Sequence, residues 1–499
     1  MRFQPVDGSL SRRELFAVAG VLVGMFAVLA YLLPEGLFLV VLAISSMATV
    51  YYTMSILITR NSHRLPEWAR TVPIWLTFLL PFTVTTVLAM RYWAFISPVM
   101  VALVVALLTI FFYYWFVVPL ALYQKIDEQS RSVSITDWPE ISVLVPAYNE
   151  EGYVGPCIDA LLAADYPPDK LDIVVVDDGS VDGTYAEARR HATDAVTVVH
   201  KENGGKHSAL NYGLRYATAE FVVTIDADSI VAGGALRELV RTFEARPDAD
   251  AVAGNVKVSN RGPLVTNLQA LEYVIGINTF RRAFDLLGVV TVVPGCLGAF
   301  RRDALELVDG YDADTLTEDF DATIQLLKEG KRIHHSSAVV YTEAPDTWRD
   351  LYRQRLRWFR GNLQTVIKHR RAVIDGEFGL LHRVAFPYVL FSMSVLPFLG
   401  IVILGIVVWS LVRGAYWQVF GMFVFFTVLQ LLLSTLAIRI DTDDLWLARY
   451  APFSIIGYKQ FLDAVLIKSF VDVLYKSDFS WTRARRRRQR DEFSEDAAT

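Results

Sequence analysis

Asp172-Ile173-Val174-Val175-Val176 runs without a break into Asp177-Asp178-Gly179-Ser180, and Phe221-Val222-Val223-Thr224-Ile225 runs into Asp226-Ala227-Asp228. Each is a short apolar, β-branched run that stops at acidic residues, the pattern of a buried strand ending at a polar edge. Ile141-Ser142-Val143-Leu144-Val145, closed by Pro146, is a third. Helix-like stretches, 155–164, 184–191 and 207–216, lie between them. Strands alternating with helices predict an α/β domain with a parallel sheet. The polar clusters fall just past the strand ends, at the sheet edge where such folds bind ligands.

The residues at those ends suggest phosphate chemistry. Asp226 and Asp228 offer two hard oxygen ligands two residues apart, suited to Mg2+ or Mn2+ shared with a diphosphate. Alone, such a pair is as readily a turn cap; two acidic clusters at successive strand ends of one sheet carry more weight. Lys206 follows Gly204-Gly205, so it reads either as a solvated loop lysine or as a cation on a phosphate, with the glycines letting backbone approach. Thr317-Glu318-Asp319 precedes the helical pattern Phe320, Ile324, Leu327. It reads as a capped helix start with acids in the first turn, or as a general base, since a carboxylate among other acids holds a proton more tightly. In Gln354-Arg355-Leu356-Arg357-Trp358, arginine is a fork for a diphosphate and tryptophan a flat face for a sugar ring; an ordinary amphipathic helix would also accommodate both.

Outward from residues 138–375 the composition changes. The chain has 499 residues, 53% of them hydrophobic and only 20% charged, against about 25% charged in ordinary globular chains. That excludes a disordered chain, a disulfide scaffold and a collagen-like repeat. Residues 15–33, 37–59, 72–90 and 95–123 are four apolar runs, and 384–412 and 416–438 are two more. Each is long enough to cross a hydrocarbon core, which takes about 20 helical residues. Residues 446–475 are interrupted by Lys459, Asp463, Lys468 and Asp472, spaced for i,i+4 pairs along an amphipathic helix or for a polar path, with the helix favoured; Pro452 and Gly457 are its natural breaks. The expected plan is an N-terminal transmembrane region of about four helices (1–125), a cytoplasmic domain (138–375), C-terminal interfacial and transmembrane helices (376–478), and a basic then acidic tail (479–499).

Basic residues set the orientation. Arg12 and Arg13 precede the first run and Arg60, Arg64 and Arg70 lie between the second and third, so these segments, the middle domain and the tail are expected on the cytoplasmic side of the cell membrane. The Ser11-Arg12-Arg13 start is like a twin-arginine signal, but the apolar run after it exceeds the roughly 7–15 residues of a signal core. The Arg483–Arg490 cluster suits an anchor at anionic lipid. A net charge of −5 with no extended basic face gives no reason to expect nucleic acid. Cys157 and Cys296, the two cysteines, make no zinc spacing or disulfide framework. Trp409, Tyr416 and Trp417 read as interfacial anchors before sugar platforms.

In order, Pro146-Ala147-Tyr148-Asn149-Glu150, Asp177-Asp178-Gly179-Ser180, Asp226-Ala227-Asp228, Thr317-Glu318-Asp319 and Gln354 through Arg357-Trp358 resemble the processive membrane glycosyltransferases of family 2, which include cellulose, hyaluronan, chitin and poly-N-acetylglucosamine synthases. The resemblance covers the middle domain and the membrane–domain–membrane plan. Gly204-Gly205-Lys206 before Ala209-Leu210-Asn211, Pro294-Gly295 before Gly298–Arg302, and Gln354–Gly361 are similar to the poly-β-1,6-N-acetylglucosamine synthase branch. Thr-Glu-Asp stands where bacterial hyaluronan synthases show Gly-Asp-Asp, and no cellulose-synthase gating-loop signature is found. Both products are therefore less expected.

The resemblance implies a GT-A nucleotide-sugar domain inserted between two transmembrane helix bundles. By it, Tyr148 and Asp178 hold uracil and Asp177 supports that turn. Asp226 and Asp228 hold Mg2+ or Mn2+ and the diphosphate, with Asp228 the more direct ligand. Lys206 and Arg357 bind the diphosphate, Asp319 with Glu318 forms the catalytic pair in which Asp319 deprotonates the acceptor hydroxyl, and Gln354 and Trp358 hold the acceptor sugar. The implied reaction inverts a UDP-sugar, with UDP-N-acetylglucosamine foremost, into a β-linked polysaccharide that is extruded. The implied partners are the donor, the growing polysaccharide or a lipid acceptor, membrane lipids and a small accessory membrane subunit. A non-processive glycolipid synthase, like the ceramide glucosyltransferases, and a non-enzymatic membrane scaffold are the alternatives.

Overall fold

The computed structural model describes residues 117–131 and 133–475. The first three apolar runs, most of the fourth and the arginine-rich tail lie outside them. Among the described residues the chain divides into two compact units, one of 126–273, 284–372 and 465–475, the other of 117–125, 274–283 and 373–464.

The first unit is built on one eight-stranded sheet. Its strands are β1 (Ile141–Ala147), β2 (Leu171–Asp177), β3 (Val196–His200), β4 (Phe221–Thr224), β5 (Ile230–Val231), β6 (Ala251–Val258), β7 (Gly298–Arg301) and β8 (Ile333–Thr342). Their order is β3-β2-β1-β4-β7-β6-β8-β5. The half read from sequence is parallel: Ile141 lies level with Leu171 on one side and Phe221 on the other, and β3 joins β2 in the same sense. Helices α1 (Val154–Leu162), α2 (Thr184–Arg189) and α3 (Lys206–Leu214) connect these strands. Both faces of that half are covered, so six of the seven residues of β2 are buried and the strands read as unbroken apolar runs.

The sheet as a whole is mixed, which corrects the expectation of a parallel one. β7 runs antiparallel to both β4 and β6, and β5 antiparallel to β8. β7 is Gly298-Ala299-Phe300-Arg301, four residues with no β-branched member, and β5 has two residues. β7 lacks a composition that marks a strand, and β5, though Ile-Val, is too short to mark one. Helix α4 (Ala235–Ala245) buries Leu236, Leu239, Val240 and Phe243, an i, i+3, i+4, i+7 stripe. Three further helices position the site: α5 (Leu264–Glu272), α6 (Glu318–Lys328) and α7 (Trp348–Lys368). Thr347 caps α7, its hydroxyl accepting from Asp350 N at 3.2 Å.

The second unit contains two helices long and apolar enough to cross a membrane, by length and composition. These are Leu381–Val412, 32 residues of mean hydropathy 2.7, and Val419–Ile440, 22 residues of mean hydropathy 2.1. They cover the two apolar runs expected there. Val118 and Ala121 pack against Leu433, Leu436 and Ile440, and Lys125 Nζ donates to Ile440 O at 2.6 Å, a cation on the carbonyl end of a helix. The stretch after residue 445 breaks at Gly457, whose φ is +97°, and resumes as a helix over Lys459–Leu474. Its charges form the expected i,i+4 pairs, Lys459 with Asp463 at 2.6 Å and Lys468 with Asp472.

Candidate active site

The carboxyl ends of β1 and β2 are locked together. Asp178 N donates to Ala147 O at 2.8 Å. Asn149 takes φ +54°, a conformation asparagine tolerates; its N donates to Ser180 Oγ and its Oδ1 accepts from Val181 N, both at 2.9 Å. Glu150 N donates to Thr184 Oγ1 at 2.6 Å. Tyr148 stands half-buried on this fixed loop.

Asp178 is buried, and its carboxylate accepts from Gly204 N at 3.1 Å, Gly205 N at 2.8 Å and Lys201 Nζ at 2.6 Å. It anchors the glycine loop; with about four acceptor positions on a carboxylate, any contact to a nucleobase is a second duty. Gly205 has φ +89°, open to glycine and costly for other residues, and this turn delivers Lys206 to the first position of α3. Asp177 is fully buried, with Oδ2 at 2.5 Å from His200 Nδ1 and Oδ1 without a hydrogen-bond partner among the described residues. It supports the turn from beneath.

A compact charge cluster lies beyond β4. Lys206 Nζ is 2.5 Å from Asp226 Oδ1 and 3.2 Å from Glu318 Oε1. Partial burial opposes its charge, but Asp226, Glu318 and Asp319 together hold the ammonium well above the ordinary lysine range. Asp319 Oδ2 accepts from Gly295 N at 3.2 Å and Oδ1 from Phe320 N at 2.8 Å. Burial, then the neighbouring Glu318, raise its pKa despite Lys206 and the two backbone donors. Thr323 Oγ1 donates to Asp319 O at 2.6 Å and accepts from Val293 N at 3.0 Å, fixing the first turn of α6 to the 293–295 loop. Asp228 Oδ1 accepts from Ser229 Oγ at 3.2 Å. Beneath it Cys157 Sγ donates to Asp226 O at 3.7 Å, and burial with the charges of Asp228 and Asp226 pushes this thiol far up, so it packs as a neutral group.

Among the described residues no three His, Cys, Asp or Glu side chains gather as a metal cage. Asp226 and Asp228 are two carboxylates at one strand end, a donor set that would suit a divalent cation of the Mg2+ or Mn2+ type, which takes one or two carboxylates and completes its shell with phosphate oxygens and water.

Helix α7 brings the third group. Gly361 packs on the residue before α6: a Cβ there would lie 2.8 Å from Thr317 N. Gln364 Oε1 accepts from Leu316 N at 3.1 Å, and Lys368 Nζ reaches Asp321 Oδ2 at 2.8 Å and Asp312 Oδ2 at 2.6 Å. His369 Nε2 is 2.9 Å from Asp321 Oδ1. Residues 357, 361, 364 and 368 are spaced three or four apart, so they share one face, and that face lies along the start of α6. Arg357 and the half-buried Gln354 and Trp358 sit one to two turns before Gly361, on or beside the same face.

The structure thus brings Lys206, Asp226, Glu318 and Asp319 into one cluster. Asp177 and Asp178 lie in the adjoining turn, and Gln354, Arg357 and Trp358 on the helix that closes on α6. Sequence reasoning assigned no role to Gly295, Lys201, Asp321 or Arg355. Gly295 was legible only as part of a Pro-Gly pair, Lys201 as one charge in a loop, and Asp321 as one of three acids opening a helix.

Residues 142–308 match the family described as glycosyl transferase family 2. The chain is 30% identical over 264 residues to poly-β-1,6-N-acetyl-D-glucosamine synthase of Staphylococcus aureus strain MSSA476, a match covering 52% of this chain and 62% of that protein. It is 30% identical over 233 residues to the protein of the same name from Staphylococcus epidermidis, covering 46% of this chain and 56% of the relative. The match thus spans roughly three-fifths of the curated relatives' length. A mannosyltransferase from Pyrobaculum calidifontis, solved with GDP-Man and Mn2+, superposes with a TM-score of 0.53 at 22% identity, covering 77% of this chain and 100% of that one; the likeness is one of fold. Residues 142–308 thus carry the match to family 2, on a fold of the GT-A-like α/β type.

Proposed function

We propose that this family 2 domain works as an inverting membrane β-glycosyltransferase. It elongates and extrudes an extracellular polysaccharide from a UDP-sugar, with UDP-N-acetylglucosamine as donor. The observation that carries the reading is the cluster of Lys206, Asp226, Glu318 and Asp319 closed over by Gly295 N. It joins a diphosphate cation, a metal carboxylate and a carboxylate of raised pKa within one site. The 30% identity to the staphylococcal synthases supports the choice of sugar.

In this reading Tyr148 stacks on the uracil and Asp178 accepts from its N–H. Lys206 and Arg357 neutralise the diphosphate. Asp226 and Asp228 would hold Mg2+ or Mn2+, which when bound offsets charge on the leaving group. Asp319 takes the proton of the acceptor hydroxyl. The hydroxyl oxygen forms a bond to the anomeric carbon as the bond from that carbon to the diphosphate breaks, UDP leaves, and the configuration inverts. Gln354 and Trp358 hold the acceptor sugar.

The apolar helices Leu381–Val412 and Val419–Ile440 support a multi-pass membrane protein, with the catalytic domain on the cytoplasmic side where UDP-sugars are found, flanked by helices before residue 125 and between 376 and 478. A small accessory membrane subunit belongs to the same proposal. The test is turnover by purified protein in lipid with Mg2+ or Mn2+, given labelled UDP-N-acetylglucosamine or UDP-glucose separately. A long polymer from the first donor is expected. A single sugar on lipid would move the reading to glycolipid synthesis, and no transfer from either donor would overturn it.

A further inference from the structure

Arg355 lies between Gln354 and Arg357 on α7, and it is 1% exposed. A guanidinium that deep is costly to bury unless each donor is matched, and an apolar side chain would fill the same volume without that cost. Its partners show what the charge does there. Nη2 pairs with Glu272 Oε2, at the end of α5, at 2.7 Å. Nη1 donates to Gln354 Oε1 at 3.2 Å. Cζ stands 4.2 Å from the centroid of the Trp358 ring and 5.7 Å from that of Tyr273. One buried cation therefore touches both side chains that the proposed function gives to the acceptor sugar, and ties them to a second helix.

We propose that Arg355 is a positioning residue of the acceptor site, an inference that rests on the acceptor roles of Gln354 and Trp358 proposed above. The planar guanidinium covers one face of the Trp358 indole and fixes the plane of the ring, leaving the opposite face for a sugar. Arginine has donors only, so it takes the oxygen of the Gln354 amide and turns the NH2 outward as a donor to a sugar hydroxyl. Glu272 holds the guanidinium in place. Lysine cannot substitute: it could keep the charge beside Glu272 but has neither the fork nor the flat face.

The experiment uses the full-length protein in lipid, with UDP-N-acetylglucosamine as donor and short N-acetylglucosamine oligomers as acceptor probe. Arg355→Lys keeps a cation beside Glu272, and the pair Arg355→Met with Glu272→Gln removes both charges together, so neither leaves a buried carboxylate unpaired. Acceptor KM is expected to rise about tenfold in each, the size of a lost buried cation–π contact, with UDP affinity within about twofold of the parent. In a Trp358→Ala background Arg355→Lys should raise acceptor KM by clearly less than the roughly tenfold it causes in the parent, because only the contact to Gln354 is left to lose. An unchanged acceptor KM in Arg355→Lys, effects that add in the double variant, or an equal fall in UDP affinity would each overturn the inference. If Trp358→Ala itself leaves acceptor use intact, the acceptor reading falls and the inference with it; if Trp358→Ala is impaired and Arg355→Lys is not, the inference alone falls.

Discussion

Gly295→Ala tests the centre of the proposed site with one methyl group. A Cβ at this position would stand 2.5 Å from Lys206 Nζ and 3.7 Å from Asp226 Oδ1. Ordinary contact begins near 3.4 Å, so the ammonium must retreat by about 0.9 Å (3.4 − 2.5). Lys206 is the far end of a flexible chain and can do so, which makes the change local. Its 2.5 Å bond to Asp226 would be stretched by up to that amount, to about 3.4 Å, and weakened, and its reach to a diphosphate with it. A hydrogen bond to a charged group is worth about 1.5–3 kcal/mol. Lost in the transition state, that is about a 10- to 150-fold fall in kcat/KM for the donor. The assay is steady-state transfer at saturating acceptor, with thermal melting alongside. Gly233→Ala, where an added Cβ meets nothing within 4 Å, is the control and should behave as the parent. In a Lys206→Met background Gly295→Ala should cost little more, since the group it displaces is gone. A Gly295→Ala protein of unchanged melting temperature and kcat/KM within about twofold would refute Lys206 as a diphosphate ligand held by this packing.

Three other outcomes follow from the same geometry. Asp319→Asn should keep UDP binding and lose transfer by about 10²–10⁴-fold, the range for a general base; because the active form is the carboxylate and its pKa is raised by burial and Glu318, the parent's kcat should fall with decreasing pH through a value above that of an ordinary aspartate, a limb absent from the residual rate of the variant. Asp321 is fully buried between Lys368 and His369, which hold its carboxyl below the usual range against the cost of burial; Asp321→Ala should lower stability to urea by about 3 kcal/mol, and the stability Asp321 contributes should be present at neutral pH and lost as pH falls through its depressed pKa. Chelation of divalent cations should abolish transfer while leaving the melting temperature within a degree or two, since no three described side chains form a metal cage, and Mn2+ or Mg2+ should restore it.

The legible part of the fold was the part made by local rules. β1, β2 and β4 are β-branched runs, the first closed by Pro146 and the other two by acids, and their lengths and ends are visible one residue at a time. β7 and β5 owe their place to neighbours: a Gly-Ala-Phe-Arg strand is held between β4 and β6 by backbone pairing on both sides, which composition does not encode. The site divides in the same way. Asp226, Asp319 and Trp358 stand out by their place in an ordered set of motifs, since an acid at a strand end or helix start is by itself as readily a cap. Gly295 gives no such sign, because what matters is the side chain it lacks, and the atom it spares belongs to a lysine 89 positions earlier in the chain.

Arg355 and Asp321 show why supporting residues are harder to read than reacting ones. In sequence each is one charge among several on an amphipathic helix, where most charges face water. In the structure both are buried and each reaches across to another helix: Asp321 on α6 to Lys368 and His369 on α7, Arg355 on α7 to Glu272 on α5. Together they hold α7 from two sides, one link fixing its end against the helix of Asp319, the other fixing the turn that carries Gln354 and Trp358. Transfer needs the base and the acceptor sugar within hydrogen-bond reach of each other, and a misplacement of about 1 Å is enough to cost two orders of magnitude in rate. Two ion pairs on the helix that bears Gln354 and Trp358 make sense under that requirement if these residues hold the acceptor as proposed. Stability alone would be served as well by apolar residues of the same volume.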